Sequence, residues 1–206
     1  IIDFEVDLLI LGGGGAGMTA ALWAIREGLA PANILLVQKL RLGDSNSVMS
    51  QGGVQFADKP YDSPVIHYLD ALGGGHFTNN PELVRTLVLD APRILAWHQE
   101  LGIAYDRAPD GTMITLPCGG SSQNRLHSAR DYTGMEITRN LRDEVINHAI
   151  PILEFTAAIE LLMDDRGQAA GAILTNMETQ EYHVVKAKAT ILATEGGSEA
   201  SALTSL

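Results

Sequence analysis

The run Val6-Asp7-Leu8-Leu9-Ile10-Leu11 passes directly into Gly12-Gly13-Gly14-Gly15-Ala16-Gly17. A short apolar run that stops at glycines predicts a strand buried on both faces, as in a parallel sheet. Gly12, Gly14 and Gly17 hold the spacing G-x-G-x-x-G. In that arrangement the first glycine makes the tight turn and the second lets backbone approach a pyrophosphate. The third lets the following helix pack closely on the strand. A helix is predicted over residues 16–28, with Ala20, Ala21 and Ala24 on a close-packing face and Gly28 as its stop. Ile34-Leu35-Leu36-Val37 predicts a second buried strand and completes a βαβ unit. Amides at a helix N-terminus hold a pyrophosphate without basic side chains, so the opening predicts dinucleotide binding. The bland alternative is a glycine-rich structural turn.

The remainder of the chain modifies that beginning. Residues 42–57 are rich in Gly, Ser, Asn and Gln, which predicts a structured loop followed by a short helix. Ser63-Pro64 starts a helix that ends at Gly73-Gly74-Gly75, and Asn80-Pro81 starts another that runs to about Glu100 before Gly102. Pro92 is expected to kink or interrupt it. Residues 103–126 read as irregular, with a turn at Pro109-Asp110-Gly111, and 134–149 read as an amphipathic helix. Strands are predicted at 151–164, 168–177 and 181–187, then a last buried strand at 189–194 ending in Gly196-Gly197. The fold class is therefore α/β: a Rossmann-like parallel sheet with an inserted β-meander. A plain nicotinamide dehydrogenase would instead continue alternating strand and helix.

Composition narrows the partners. The 206 residues are 46% hydrophobic, enough for the core of one or two domains. A formal net charge of -11 argues against nucleic acid and anionic membrane surfaces, which require clustered Lys and Arg. The single cysteine, Cys118, forms no disulfide within the chain and cannot hold an iron–sulfur cluster. Electron transfer must then come from a bound cofactor or a partner. No apolar run approaches the roughly 18 residues of a membrane-spanning helix, and the first residues lack a signal peptide's basic start. These features predict a cytoplasmic protein with no direct membrane span.

Several side chains are candidates for chemistry. The acidic residue expected about 20 positions after the glycines is replaced by Gln38, followed by Lys39. An amide can both donate to and accept from ribose hydroxyls, but this is not the usual NAD signature. Ser45-Asn46-Ser47-Val48-Met49-Ser50-Gln51-Gly52-Gly53 can lay backbone and small polar groups along a flat ring. The six histidines show no metal-ligand spacing, so no metal is expected. Arg125, His127, Arg130 and Asp131 form a dense polar cluster, with a surface ion-pair cluster as its bland reading.

In these residues the chain resembles the flavoprotein subunits of succinate dehydrogenase and fumarate reductase, together with L-aspartate oxidase. Ser45 to Gly53 is similar to the family's S-x-x-x-x-x-Q-G-G, and Arg130-Asp131-Tyr132-Thr133-Gly134 to its A-D-x-T-G. Ala187-Lys188-Ala189 and Ile191-Leu192-Ala193-Thr194 are similar to A-K-x-V-I-L-A-T-G-G. The resemblance implies FAD, with hydride passing between flavin N5 and a small dicarboxylate. It implies a partner in the form of an iron–sulfur electron-transfer subunit, and through such subunits a place at the inner face of a membrane. It places Gly12, Gly14, Gly15, Ala16 and Gly17 at the pyrophosphate and Gln38 and Lys39 near the adenosine ribose. Ser45, Asn46, Ser47, Ser50, Gln51, Gly52 and Gly53 would line the flavin, Ala158 would meet the adenine and Thr194 would sit near the cofactor.

Asn46 stands where membrane-linked succinate dehydrogenases carry the histidine that attaches FAD covalently, so non-covalent FAD is expected. Met135 replaces a histidine that often follows Thr-Gly, and Glu195 interrupts Ala-Thr-Gly-Gly. The whole chain, 1–206, reads as an incomplete FAD-binding domain, since the family's capping domain, expected after about residue 195, is missing. The dicarboxylate clamp and proton donor lie mostly there, so no catalytic residue is assigned. Residues 197–206 are similar to a later family segment near the flavin pyrimidine. The rival reading is a non-catalytic flavin-binding or assembly module.

Overall fold

The opening apolar run forms an inner strand of a six-stranded sheet in the computed structural model, which describes residues 2–194. In chain order the elements are β1 (Phe4–Leu11), α1 (Gly15–Arg26), a 3-10 turn (Pro31–Asn33), β2 (Ile34–Val37), β3 (Val54–Gln55), α2 (Pro64–Gly74) and α3 (Pro81–Glu100). They continue with β4 (Leu126–His127), α4 (Thr133–Asn147), β5 (Ile152–Leu153), β6 (Thr156–Met163), β7 (Ala169–Asn176) and β8 (Tyr182–Leu192). Two compact units result. One contains the chain up to Val48 and from Leu141 onward; the other is Met49–Asn140.

The first unit carries the six-stranded sheet in the order β5-β2-β1-β8-β7-β6. β1 runs parallel to both β2 and β8, with Leu9 opposite Leu35 on one side and Thr190 on the other. β6, β7 and β8 form the antiparallel meander. Leu9, Leu11, Leu35, Val37, Leu174 and Val185 make one buried cluster. Ile10 points to the opposite face, where Gly17 of α1 lies against it. The fold is the α/β arrangement that the periodicity predicts.

The structure corrects four local expectations. Residues 181–187 and 189–194 were expected as two strands, but Tyr182–Leu192 is one. Lys186 and Lys188 do not break it because they pair with Glu5 and Asp7 of β1. Its end is not buried, since Ile191 and Leu192 are exposed. The strand expected at 151–164 splits in two at Phe155, whose φ of 49° turns the chain from pairing with β2 to pairing with β7. The short helix expected within 42–57 is absent. Bonds such as Ser45 Oγ to the Gly43 carbonyl hold turns there instead. Pro92 does not interrupt α3, which runs 20 residues through it. Burial of Val88, Ala91 and Leu95 on one stripe offsets the lost backbone bond.

The second unit is built on capped helices and a small hairpin. Ser63 Oγ accepts from the Ile66 amide at the start of α2. Asn80 Oδ1 accepts from the Glu82 and Leu83 amides at the start of α3. β3 and β4 pair antiparallel, a hairpin that the reading of 103–126 as irregular did not contain. Phe56, Ala91, Leu95, Ile103 and Tyr105 form the apolar core. The boundary between units falls within α4, which is otherwise close to its expected span.

Candidate cofactor site

The glycine turn is shaped by close approach. Gly12 has φ 109°, and a side chain there would collide with the carbonyl of Ala193, just past β8. A side chain at Gly17 would collide with the Gly12 carbonyl. The turn is thus pressed between β8 and the first turn of α1, and Thr194 is brought beside Gly12 as expected. Gly14 is the N-cap of α1 and provides no side-chain cap, and no acidic residue stands in the first turn. The first intrahelical bond is Met18 N–H to the Gly14 carbonyl. The amides of Gly15, Ala16 and Gly17 precede it, and of these Gly15 donates to Ser47 Oγ at 3.1 Å. Several convergent N–H donors, the positive end of a helix and no carboxylate make a site for an anion.

The loop after β2 closes on that turn within the same unit. Gly43 N–H donates to the Gly13 carbonyl at 3.1 Å. A Cβ at Gly14 would lie 3.2 Å from Ser45 Cβ and 3.6 Å from Ser47 Oγ. Glycine therefore leaves the space in which the serine hydroxyls face the helix end. Gln38, expected at a ribose, is 8% exposed and points inward. Its Oε1 accepts from Gly13 N–H at 2.7 Å and its Nε2 donates to the Asp44 carbonyl at 2.7 Å. Lys39, Asn46 and Ser47 are exposed. Ala158 is a partly buried member of the sheet core, opposite Leu174. Glu195, Gly196, Gly197 and the tail to 206 lie outside the described residues.

Ser50, Gln51, Gly52 and Gly53 belong to the second unit. The Ser50 carbonyl accepts from Gly134 N–H at 2.8 Å, and the Gln51 carbonyl accepts from Thr133 Oγ1 at 3.4 Å. The Thr-Gly pair at the start of α4 therefore braces this segment. Gly53, at φ 141°, packs onto the His127 carbonyl, whereas Gly52 faces open space.

The expected polar cluster divides. Arg130 and Asp131 are exposed, but Arg125 is fully buried, which overturns a surface ion-pair reading for it. Arg125 holds Asp62 through two bonds of 2.7 and 2.8 Å and Asp70 through one of 2.6 Å. Burial alone would raise both carboxyls, yet hydrogen bonds from Arg125 and from the Ser63 and Ser122 amides hold them below the usual carboxylate range. Composition and spacing did not reveal Asp62 and Asp70 as partners. The nearby cleft of about 200 Å³ is lined by Gln55, His67, Asp70 and Gly119 to Ser121. Its charged lining group is a carboxylate, so it does not fit a diphosphate. No cluster of metal-ligating side chains exists among the described residues.

A family model described as FAD binding domain matches residues 7–205. The chain belongs to that FAD-binding family. It is 38% identical over 203 residues to an uncharacterized FAD-dependent oxidoreductase of Methanocaldococcus jannaschii, covering 98% of this chain and 36% of that protein. It is 35% identical over 205 residues to a fumarate reductase (CoM/CoB) of Methanothermobacter marburgensis, covering 98% and 37%. Among solved structures, E. coli quinol fumarate reductase matches with a TM-score of 0.89 at 27% identity, covering 95% of this chain and 33% of that one. Succinate dehydrogenase flavoprotein and L-aspartate oxidase sequences are also relatives, as the motifs implied. The FAD-binding chain spans a little over a third of the length of the first two curated relatives. Among its described residues no helix is long and apolar enough to cross a membrane.

Proposed function

We propose that this FAD-binding chain grips the cofactor's diphosphate at the N-terminus of α1 and holds FAD without a covalent bond. The observation that carries the reading is the uncapped, acid-free helix end behind Gly12, Gly14 and Gly17, with Ser47 already bonded to the Gly15 amide. The Gly15, Ala16 and Gly17 amides would bind the diphosphate oxygens, with Ser45 and Ser47 as further donors. Lys39, exposed at the end of β2, would serve the adenosine side. Asn46, Ser50, Gln51, Gly52, Gly53, Ala158 and Thr194 are carried over as cofactor contacts from the family resemblance. An amide at Asn46 cannot make the covalent flavin link that a histidine makes.

FAD, when bound, supplies hydride acceptance and donation at its flavin ring. In a protein of its relatives' length, we place that chemistry on a small dicarboxylate, with electrons exchanged through a partner protein that tethers the assembly at the inner face of a membrane. The Methanothermobacter and E. coli relatives are named fumarate reductases. This chain's own residues would orient the cofactor and exclude water from it.

Ala16→Glu tests the diphosphate site. Ala16 is exposed in the first turn of α1, so the substitution meets no steric obstacle. A carboxylate there complements the helix dipole and leaves the apo-protein's melting temperature unchanged or slightly raised. It repels a diphosphate, so FAD affinity measured by flavin fluorescence is expected to fall at least a hundredfold. Unchanged affinity overturns the site. Acid precipitation of the wild-type complex is expected to leave the yellow colour in the supernatant; flavin retained in the pellet would overturn non-covalent binding.

A further inference from the structure

We infer that Gln38 is a positioning residue: its neutral amide is a two-ended strut that sets the gap between the glycine turn and the 41–47 loop, and through it the affinity for FAD. The inference rests on the diphosphate site proposed above. It concerns the one residue that departs from the acidic pattern of dinucleotide sites, and it assigns that residue no contact with the cofactor.

The base of the strut is fixed. The Gln38 amide donates to the Leu153 carbonyl at 2.8 Å, and its carbonyl accepts from Thr156 N–H at 2.9 Å. The side chain therefore starts from a backbone locked to both sides of the β5–β6 break. Its two ends meet groups that only a primary amide satisfies together. Oε1 accepts from Gly13 N–H, within the glycine turn. Nε2 donates to the Asp44 carbonyl, one residue before Ser45. From Asp44 the loop continues to Ser47, whose hydroxyl sits on the Gly15 amide. Gly43 N–H to the Gly13 carbonyl forms a second tie beside the strut. Moving Asp44 thus moves the serines relative to the helix end. An ionised carboxylate in place of the amide accepts from Gly13 but faces the Asp44 carbonyl lone pair with another acceptor, and a thioether satisfies neither end. Leaving a buried donor or acceptor without a partner is costly, so the loop would shift to find one.

Gln38→Glu makes the strut titratable. A protonated carboxyl accepts through its carbonyl oxygen and donates through its O–H, reproducing the amide's pattern; an ionised one cannot donate. Burial disfavours the ionised form, so the new group's pKa should rise above the ordinary glutamate value. FAD affinity is measured by fluorescence between pH 5 and pH 8.5 on wild type and Q38E. Relative to wild type, Q38E is expected to bind within threefold at pH 5 and to lose at least a further tenfold as pH rises. Gln38→Met is expected to lose at least tenfold at every pH. An affinity ratio between Q38E and wild type that is flat across this range overturns the strut. Wild-type protein that binds no FAD overturns the site reading and the inference together. Hydrogen exchange at Gly13 in wild-type protein keeps the question decidable should Q38E not fold. Slow exchange is expected both without and with FAD, and fast exchange without it overturns the strut.

Discussion

The two units are held by different forces. The sheet unit relies on aliphatic side chains: its buried cluster of Leu9, Leu11, Leu35, Val37, Leu174 and Val185 contains no titratable group. The helical unit has a smaller apolar core and adds two buried polar assemblies. One is Arg125 with Asp62 and Asp70. The other joins His98, whose Nδ1 lies 2.8 Å from the Tyr105 hydroxyl, to Phe56 and His127 through ring contacts. Hydrophobic packing tolerates changes in pH, whereas buried ion pairs and histidines make stability depend on protonation. The contrast predicts a unit around the glycine turn that withstands acid and a helical unit that yields first.

The largest expected effect comes from Arg125→Met, which leaves Asp62 and Asp70 buried without their cation. Breaking a buried pair from one side costs about 3–5 kcal/mol. The loss should appear in urea unfolding, with hydrogen-exchange protection falling across α2 and α3 while β1, β2 and β8 keep theirs. Equal loss in the strands would break the comparison.

Next is the acid response. Burial lowers the His98 pKa to about 4 from an ordinary 6.5. Between those values the unfolded chain takes up a proton that the folded one refuses, so stability falls as pH drops from 6.5 to 4. The shift amounts to about 3 kcal/mol across that window. His98→Phe should remove this slope in pH-dependent denaturation of the helical unit. A slope of the same size in the variant would assign the response elsewhere. Asp62 and Asp70, held low, act further down: their contribution is complete above the ordinary carboxylate range and is lost as pH falls through their depressed values.

The smallest effect is Asn80→Ala. Loss of the two accepted amide bonds at the start of α3 should cost about 1 kcal/mol. It should raise exchange in the first turn of α3 and leave the sheet unit unchanged. A larger, global effect would show that the units unfold together.

Local spacing made the framework legible. The glycine pattern, the Ser63 and Asn80 caps and the meander all lie within a few turns or strand lengths of chain, where 3.6- and 2-residue periods and turn chemistry act. The family also followed from short motifs in order. The same local reasoning erred where a remote partner decided the outcome. Lys186 and Lys188 looked like a gap between strands until Glu5 and Asp7 supplied their partners. A short helix looked available within 42–57, but the loop is tied to Gly13 and Glu154.

By itself the sequence determined an α/β chain with an anion-ready helix end and a chemistry of nucleotide binding, because those properties belong to contiguous residues. Tertiary structure alone decided that Gln38 turns inward and that Arg125 meets Asp62 and Asp70, more than fifty residues away. A side chain's role depends on which groups satisfy its hydrogen bonds once water is removed, and only the folded chain brings those groups within reach.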